Sequence, residues 1–129
     1  MLFRSIVVDI HGEATSEKQA LGHLMDGRVS LAVGSHTHVP TADARILPGG
    51  TGFQTDAGMC GAYQSVIGMD IAVAVERFVR KLPTARLEPA SGEGMVCGTF
   101  VETDDRTGLA VRVSPLRVGS GLAEQWPDA

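Results

Sequence analysis

The sequence predicts an α/β domain in which a short parallel sheet is followed by a β-hairpin. Two apolar, β-branched runs at residues 6–8 and 29–33 flank a segment with helical periodicity, which is the β-loop-α-β pattern of parallel sheets. From Met95 onward the hydrophobic period changes to two, on either side of a turn at residues 104–108. That pattern is typical of a β-hairpin.

The first unit has signals at both ends of its helix. Residues 6–8 lack polar alternation, which predicts a strand buried on both faces. Ser16 and Gln19 have the spacing of a capping box, and Gly27 supplies a stop, so we expect a helix over residues 15–26. Residues 29–33 then form the next strand.

The middle of the chain is expected to be mostly loop, followed by a second helix. Residues 40–68 are rich in Gly, Asp and Thr, with one short strand expected at 52–55. Asp70 is placed to cap a helix that runs to Lys81, because Pro83 cannot continue it. One face of this helix is apolar and is expected to be structural: Ile71, Val75, Phe78 and Val79.

Composition sets limits on partners. The 129 residues allow at most one domain, and 43% hydrophobic with 20% charged residues is ordinary for a globular core. A net charge of -4 provides no basic field for duplex nucleic acid or an anionic membrane. No apolar window approaches the length of a membrane span, so we expect a cytoplasmic protein.

Two further expectations concern the cysteines and the tail. Cys60 and Cys97 match no metal-ligand spacing, and reduced thiols are the expected state, with a disulfide as the open alternative. Residues 119–129 show no periodicity and are expected to form a flexible tail.

Three of the four histidines follow the two strands that are predicted to be parallel. His11 follows the first strand, while His36 and His38 follow the second. Ligands gather at the carboxyl ends of parallel strands, so these imidazoles can meet there. Neutral imidazole binds Zn, Mn, Fe, Ni or Cu, so the sequence predicts a metal site without choosing the metal. The alternative is that all three are hydrogen-bonded loop residues that bind no metal. We expect the fourth histidine, His23, to be a structural residue of the helix.

Other chemistries are less well supported. Four acids near these loops are placed to orient imidazoles, although solvated acids are the commoner case: Asp9, Glu13, Asp43 and Asp56. Ser35 beside His36 lacks a Gly-x-Ser-x-Gly elbow and an evident Asp partner. Cys60 has no cationic neighbour to activate a thiol, and the glycines lack nucleotide-binding spacing.

Three segments, at residues 8–18, 33–39 and 55–69, carry a family resemblance. They include the runs Glu-Ala-Thr-Ser-Glu-Lys and Gly-Ser-His-Thr-His. The chain resembles the calcineurin-like metallophosphoesterases, specifically the bacterial YmdB-type branch, with Gly12 where that branch usually has alanine. The resemblance implies the carboxyl-terminal half of an αββα sandwich. It also implies that His11 and His36 bind one metal and that His38 binds the other.

The same resemblance implies an activity and a limit. Two metal ions, commonly iron or manganese, would support hydrolysis of phosphodiesters such as 2',3'-cyclic nucleotides. The family's acidic and asparagine ligands and its general-acid histidine lie in a preceding half, and none of those motifs is present here. We therefore assign no catalytic side chain, expect the chain alone to be inactive or weak, and expect self-association through apolar surface. A non-enzymatic domain with all three histidines at one ion is the alternative.

Overall fold

The computed structural model describes residues 5–82 and 85–127, which contain a four-stranded sheet, two helices and a hairpin. The sheet consists of β1 (Val7–His11), β2 (Leu31–Ser35), β3 (Arg45–Ile46) and β4 (Gly52–Gln54). Its strand order is β1-β2-β4-β3, with β1, β2 and β4 parallel and β3 antiparallel. The predicted α/β class is confirmed. The short strand β3 lies in the segment that was predicted to be loop.

Helix α1 (Thr15–Leu24) connects β1 to β2 and covers the sheet. The predicted capping box is wrong, because the N-cap residue is Ala14 and no side chain caps the helix. Ser16 already lies inside the first turn. The helix approaches β4 closely at Gly22, where an added Cβ would lie 2.5 Å from the Phe53 ring. The core below α1 is small and apolar: Val29, Ala32, Leu47 and Phe53, flanked by Val8, Ile10 and Met25.

Strand β1 lies at the sheet edge, and the prediction that it is buried on both faces is wrong. Ile6 is 47% exposed and Val7 is 59% exposed. Within residues 5–82 and 85–127, β1 pairs with β2 alone, so its other edge has no partner strand. An apolar run predicts a buried strand, but it does not say which element provides the burial.

Helix α2 (Ile71–Arg80) begins as predicted, since the Asp70 carboxylate accepts a hydrogen bond from the Val73 N–H at 3.1 Å. Its end at Lys81 agrees with the prediction, whereas Pro83 lies outside the described residues. The apolar face is not buried, in contrast to the expectation for a structural helix: Phe78 is 77% and Val79 is 75% exposed. Only Ala74 of this helix is buried. Neither described helix has the length and apolarity needed to cross a membrane.

The predicted hairpin is confirmed as β5 (Met95–Thr103) and β6 (Ala110–Gly119). It packs against the sheet through both polar and apolar contacts: the Thr99 hydroxyl donates to Gln54 Oε1 at 2.6 Å, and the Val113 side chain lies against Gly52. The tail folds back on β6, because Arg117 and Gln125 exchange backbone hydrogen bonds of 2.8 Å. The tail is thus docked through this point, and its flexibility stays a prediction.

Candidate metal centre

His11 and His36 are brought together by the parallel pairing of β1 and β2. His11 is the last residue of β1 and lies opposite Ser35, the last residue of β2. His36 follows immediately. The register therefore places both imidazoles beyond the carboxyl ends of adjacent strands, as the order of strands and histidines predicts.

The two rings meet edge to face with one nitrogen of each turned toward the other. His11 Nε2 and His36 Nδ1 are 3.2 Å apart, and the ring planes are inclined by 82°. The second nitrogen of His11, Nδ1, lies 3.1 Å from Ser35 Oγ. When the serine hydroxyl oxygen accepts a hydrogen bond from Nδ1–H, Nε2 keeps its lone pair in the neutral ring. Both rings are exposed and accessible to a ligand.

This arrangement fits a shared metal ion. Two imidazole nitrogens bound to one ion at about 2.1 Å, in adjacent coordination positions, lie roughly 3.0–3.4 Å from each other. The observed separation of 3.2 Å falls within that range, and in this structure the two nitrogens share a hydrogen bond, whose proton an ion would have to replace. A hydrogen bond to the far ring nitrogen orients metal-binding histidines, and Ser35 Oγ is placed to form it here.

His38 is oriented separately, by a backbone carbonyl. Its Nδ1 lies 2.9 Å from the carbonyl oxygen of Ile67. A carbonyl oxygen can only accept, so Nδ1 carries the proton and Nε2 is the nitrogen left with a lone pair in the neutral ring. In the part of the chain that the structure describes, no three His, Cys, Asp or Glu side chains converge on one point that would hold an ion.

Ile67, which supplies this carbonyl, has a backbone conformation that is unusual for its residue type. Val66 and Met69 exchange backbone hydrogen bonds of 2.9 Å across a two-residue turn. The central residues Ile67 and Gly68 have φ values of 48° and 92°. Positive φ at both central positions is the mark of a type I′ turn, which prefers Asn-Gly. A β-branched residue is strained there.

Ile67→Asn should therefore raise the free energy of unfolding by about 1–2 kcal/mol, since asparagine tolerates this region and isoleucine does not. The Ile67 side chain is 56% exposed, so little burial is lost. Urea unfolding followed by circular dichroism measures the change. Ile71→Asn is the matched control, because Ile71 is 40% exposed but has an ordinary negative φ. Equal destabilisation by both substitutions would contradict the turn assignment.

The remaining candidate residues play other parts. Ser35 does touch a histidine, but the other nitrogen of His11 faces His36 rather than a carboxylate, so no Ser-His-Asp triad forms. His23 lies in the last turn of α1 and is exposed. Cys60 and Cys97 are both free thiols, as expected, with Cys60 Sγ 3.5 Å from the Cys97 carbonyl oxygen.

Comparison with known proteins identifies the family. Residues 2–116 match the family model described as YmdB-like protein. The 2',3'-cyclic-nucleotide 2'-phosphodiesterase of Bacillus subtilis (strain 168) is 47% identical to the chain over 113 residues. The chain belongs to the YmdB-like family. The aligned region covers 88% of this chain and 42% of the Bacillus protein, so the chain spans less than half the length of that YmdB-like relative.

Solved structures share the fold. The crystal structure of a hypothetical protein from Thermus thermophilus superposes with a TM-score of 0.84 at 41% identity, and covers 92% of this chain and 46% of the Thermus chain. A novel phosphatase from Mycoplasma pneumoniae gives a TM-score of 0.81 at 36% identity, over 90% of this chain and 41% of the Mycoplasma chain. The YmdB-like chain thus has the architecture of the corresponding part of a phosphatase fold.

The structure also shows that the Glu-Ala-Thr-Ser-Glu-Lys run is linked to the histidine segment, which carries His36 and His38. Lys18, at the end of the Glu-Ala-Thr-Ser-Glu-Lys run, is 1% exposed and forms an ion pair of 3.1 Å with Asp56. Asp56 is also 1% exposed, so the expectation of a solvated acid is wrong for it. It does not contact an imidazole, but accepts a hydrogen bond from the N–H of Thr37, between His36 and His38.

The other three acids differ from Asp56. Asp9 and Glu13 are exposed, in line with the solvated interpretation. Asp43 is partly buried and accepts hydrogen bonds from Thr55 N–H at 3.1 Å and from the Thr41 hydroxyl at 2.6 Å. It braces the loop after β4 and does not contact an imidazole.

Two of these carboxyls have lowered pKa values. Burial alone would raise the pKa of Asp56, but hydrogen bonds from Thr37 N–H, Gly58 N–H and Lys18 outweigh it and hold the pKa below its ordinary value. For Asp43 burial also acts to raise the pKa, and hydrogen bonds led by those from Thr41 and Thr55 again lower it overall. Both groups are therefore ionised at neutral pH.

Acid should destabilise the folded chain because of these carboxyls. A carboxyl with a lowered pKa in the folded chain stabilises it fully above the unfolded value of 3.8, and that stabilisation is lost as pH falls through the lower folded-state value. We expect the urea midpoint to fall steeply below about pH 4. The double variant Lys18→Met/Asp56→Asn should show a smaller fall. An identical pH dependence in the two proteins would rule out a contribution from Asp56.

Proposed function

We propose that this chain forms the histidine-bearing part of a metal-dependent phosphodiesterase site. The observation that carries the proposal is the 3.2 Å approach of His11 Nε2 and His36 Nδ1 at the carboxyl edge of the parallel sheet. Membership of the YmdB-like family supports it, because the Bacillus relative is a 2',3'-cyclic-nucleotide 2'-phosphodiesterase. We extend that substrate class, and a cytoplasmic location, to the protein that contains this chain.

The residues of the chain would act by holding and orienting ligands. His11 and His36 would bind one ion, with Ser35 fixing the ring of His11. His38 would bind the other through Nε2, with the Ile67 carbonyl fixing its ring. When bound, two ions, iron or manganese in the family, would polarise the phosphoryl group and activate the water that attacks phosphorus. No proton donor is assigned to this chain.

A partner half would complete the site. The chain covers 42% of the Bacillus relative, and we propose that the remaining metal ligands and the general acid come from the amino-terminal half of the family domain. Apolar surface that such a half would cover is present at the β1 edge and on α2, where Val7 is 59% and Phe78 is 77% exposed. In the absence of that half, we expect the chain to self-associate through the same surface.

Complementation tests this function. The chain should hydrolyse 2',3'-cyclic AMP poorly by itself with Mn²⁺, and turnover should appear when the amino-terminal half of the Bacillus subtilis relative is added. The same mixture made with the His11→Ala/His36→Ala chain should be inactive, while His23→Ala should behave as wild type. Robust turnover by the chain alone would contradict the incomplete site. A mixture that binds the metal and shows no diesterase activity would contradict the function.

A further inference from the structure

The segment that carries His36 and His38 has a strained backbone at both histidines. Their φ values are 137° and 66°, in the left-handed half of conformational space that residues with a Cβ rarely adopt. Conformations of this kind persist only where the surrounding structure imposes them, and they concentrate at functional sites. Thr37 and Val39 form hydrogen bonds within the segment, and further contacts hold it from outside.

Those contacts centre on the buried ion pair of Lys18 and Asp56. Asp56 Oδ2 lies 3.1 Å from Lys18 Nζ and also accepts the Thr37 N–H at 2.8 Å. The other oxygen, Oδ1, accepts the Gly58 N–H at 2.9 Å. One carboxylate thus ties α1, the histidine segment and the loop after β4 together, and both of its oxygens are used.

Close packing at Gly34 leaves the histidine segment little freedom to move away from Asp56. A Cβ on Gly34 would lie 1.8 Å from the Thr55 carbonyl oxygen and 2.8 Å from Lys18 Cδ. The Gly34 carbonyl oxygen accepts the Ala57 N–H at 2.9 Å. The chain therefore leaves β2 pressed against the strand end that carries Asp56, with the Lys18 side chain between α1 and the sheet.

A buried ion pair is a weak explanation for stability, because the desolvation of two charges offsets most of their attraction, and apolar replacements are often as stable. Specific geometry is the better explanation here. We propose that Lys18 and Asp56 are positioning residues for the metal centre, which hold the Thr37 backbone and thereby fix the directions of the His36 and His38 imidazoles. This inference rests on the proposed function, since it requires that those histidines bind metal.

The test is the affinity of the folded 129-residue chain for Zn²⁺, which imidazole binds more tightly than Mn²⁺. Lys18→Met/Asp56→Asn removes both charges, so no unpaired charge is buried. The asparagine amide of that variant offers only one acceptor oxygen, so either Thr37 or Gly58 loses its partner. Asp56→Glu is the second variant, because it keeps the charge pair but moves the oxygens by one methylene. Each should bind Zn²⁺ about 10–100-fold more weakly, as when partners of metal ligands are removed.

Asp26→Asn is the matched control. The Asp26 carboxylate also accepts two backbone N–H groups, from Gly49 at 2.7 Å and Thr51 at 3.2 Å, but it lies just beyond α1 at the opposite end of the sheet. A purely structural role predicts that affinity follows stability, so Asp26→Asn would weaken Zn²⁺ binding as well. A positioning role predicts wild-type affinity for Asp26→Asn at equal folded fraction, checked by circular dichroism.

The outcomes separate this inference from the function on which it rests. If the wild-type chain fails to bind Zn²⁺ at His11 and His36, both proposals are wrong. If the wild type binds and either folded Asp56 variant binds equally well, the positioning role is wrong while the metal centre stands. Weaker binding in both variants, with Asp26→Asn unchanged, supports the positioning role.

Discussion

Lys18→Met should lower the free energy of unfolding by about 3–5 kcal/mol, which is the usual cost of leaving a buried charge without its partner. Lys18 and Asp56 are each 1% exposed, so water cannot replace the lost ammonium without opening the structure. Methionine fills a similar volume, which keeps the cavity contribution small. Urea unfolding at pH 7 followed by circular dichroism measures the loss.

The exposed pair of Arg80 and Glu76 provides the control. These residues lie one helical turn apart on α2, with Arg80 Nε 3.1 Å from Glu76 Oε1. Their side chains are 66% and 37% exposed. Arg80→Met should change the free energy of unfolding by less than about 1 kcal/mol, because water screens an exposed pair. If the two substitutions have equal effects, the Lys18–Asp56 pair is not buried in solution.

Gly34→Ala should be comparably damaging, by about 3 kcal/mol or more, for a steric reason. The new Cβ would lie 1.8 Å from the Thr55 carbonyl oxygen, which is backbone and cannot rotate away. Relief would require β2 and the end of β4 to separate, which would also move the histidine segment. We expect a lower thermal midpoint and weaker Zn²⁺ binding in whatever fraction stays folded.

Gly12→Ala is the matched control for this substitution. A Cβ at Gly12 meets no atom within 4 Å, and Gly12 does not have a positive φ. Stability should stay the same or rise by about 0.4–1 kcal/mol. A loss at Gly12 as large as that at Gly34 would show that the close approach at Gly34 is not the cause.

Much of the site geometry could be predicted from the order of residues along the chain. Strand-helix-strand patterning predicts parallel β1 and β2, and parallel strands end at the same edge, so the approach of His11 and His36 follows. The Asp70 cap and the hairpin turn also follow from local chemistry, since their hydrogen bonds join residues close in sequence. The separate orientation of His38 does not follow, because its partner Ile67 is 29 residues away.

The buried ion pair was missed, although the sequence contains a signal for it. Lys18 lies three residues before Leu21 and seven before Met25, which places it on the core-facing stripe of α1. Asp56 closes a run of six buried residues at 51–56. A charge on an apolar helix stripe and an opposite charge that ends a buried run can be expected to form an ion pair. Which two charges pair depends on the tertiary structure, and no local sequence pattern shows it.

The burial of α2 and β1 could not be predicted for a different reason. Hydrophobic periodicity shows which face of an element is apolar, as it does for the face of α2 that carries Val75 and Phe78. It does not show what covers that face. Within the described residues these side chains remain exposed, as does Val7 on β1.

The most direct test of the metal centre is Zn²⁺ binding by four forms of the chain, measured by titration calorimetry at pH 7 on protein shown to be folded. Wild type and His23→Ala should bind with the same affinity. His11→Ala and His36→Ala should each lose the site, because each removes one of the two nitrogens that lie 3.2 Å apart. Wild-type affinity in both His11→Ala and His36→Ala would contradict the shared ion and, with it, the proposed phosphodiesterase site.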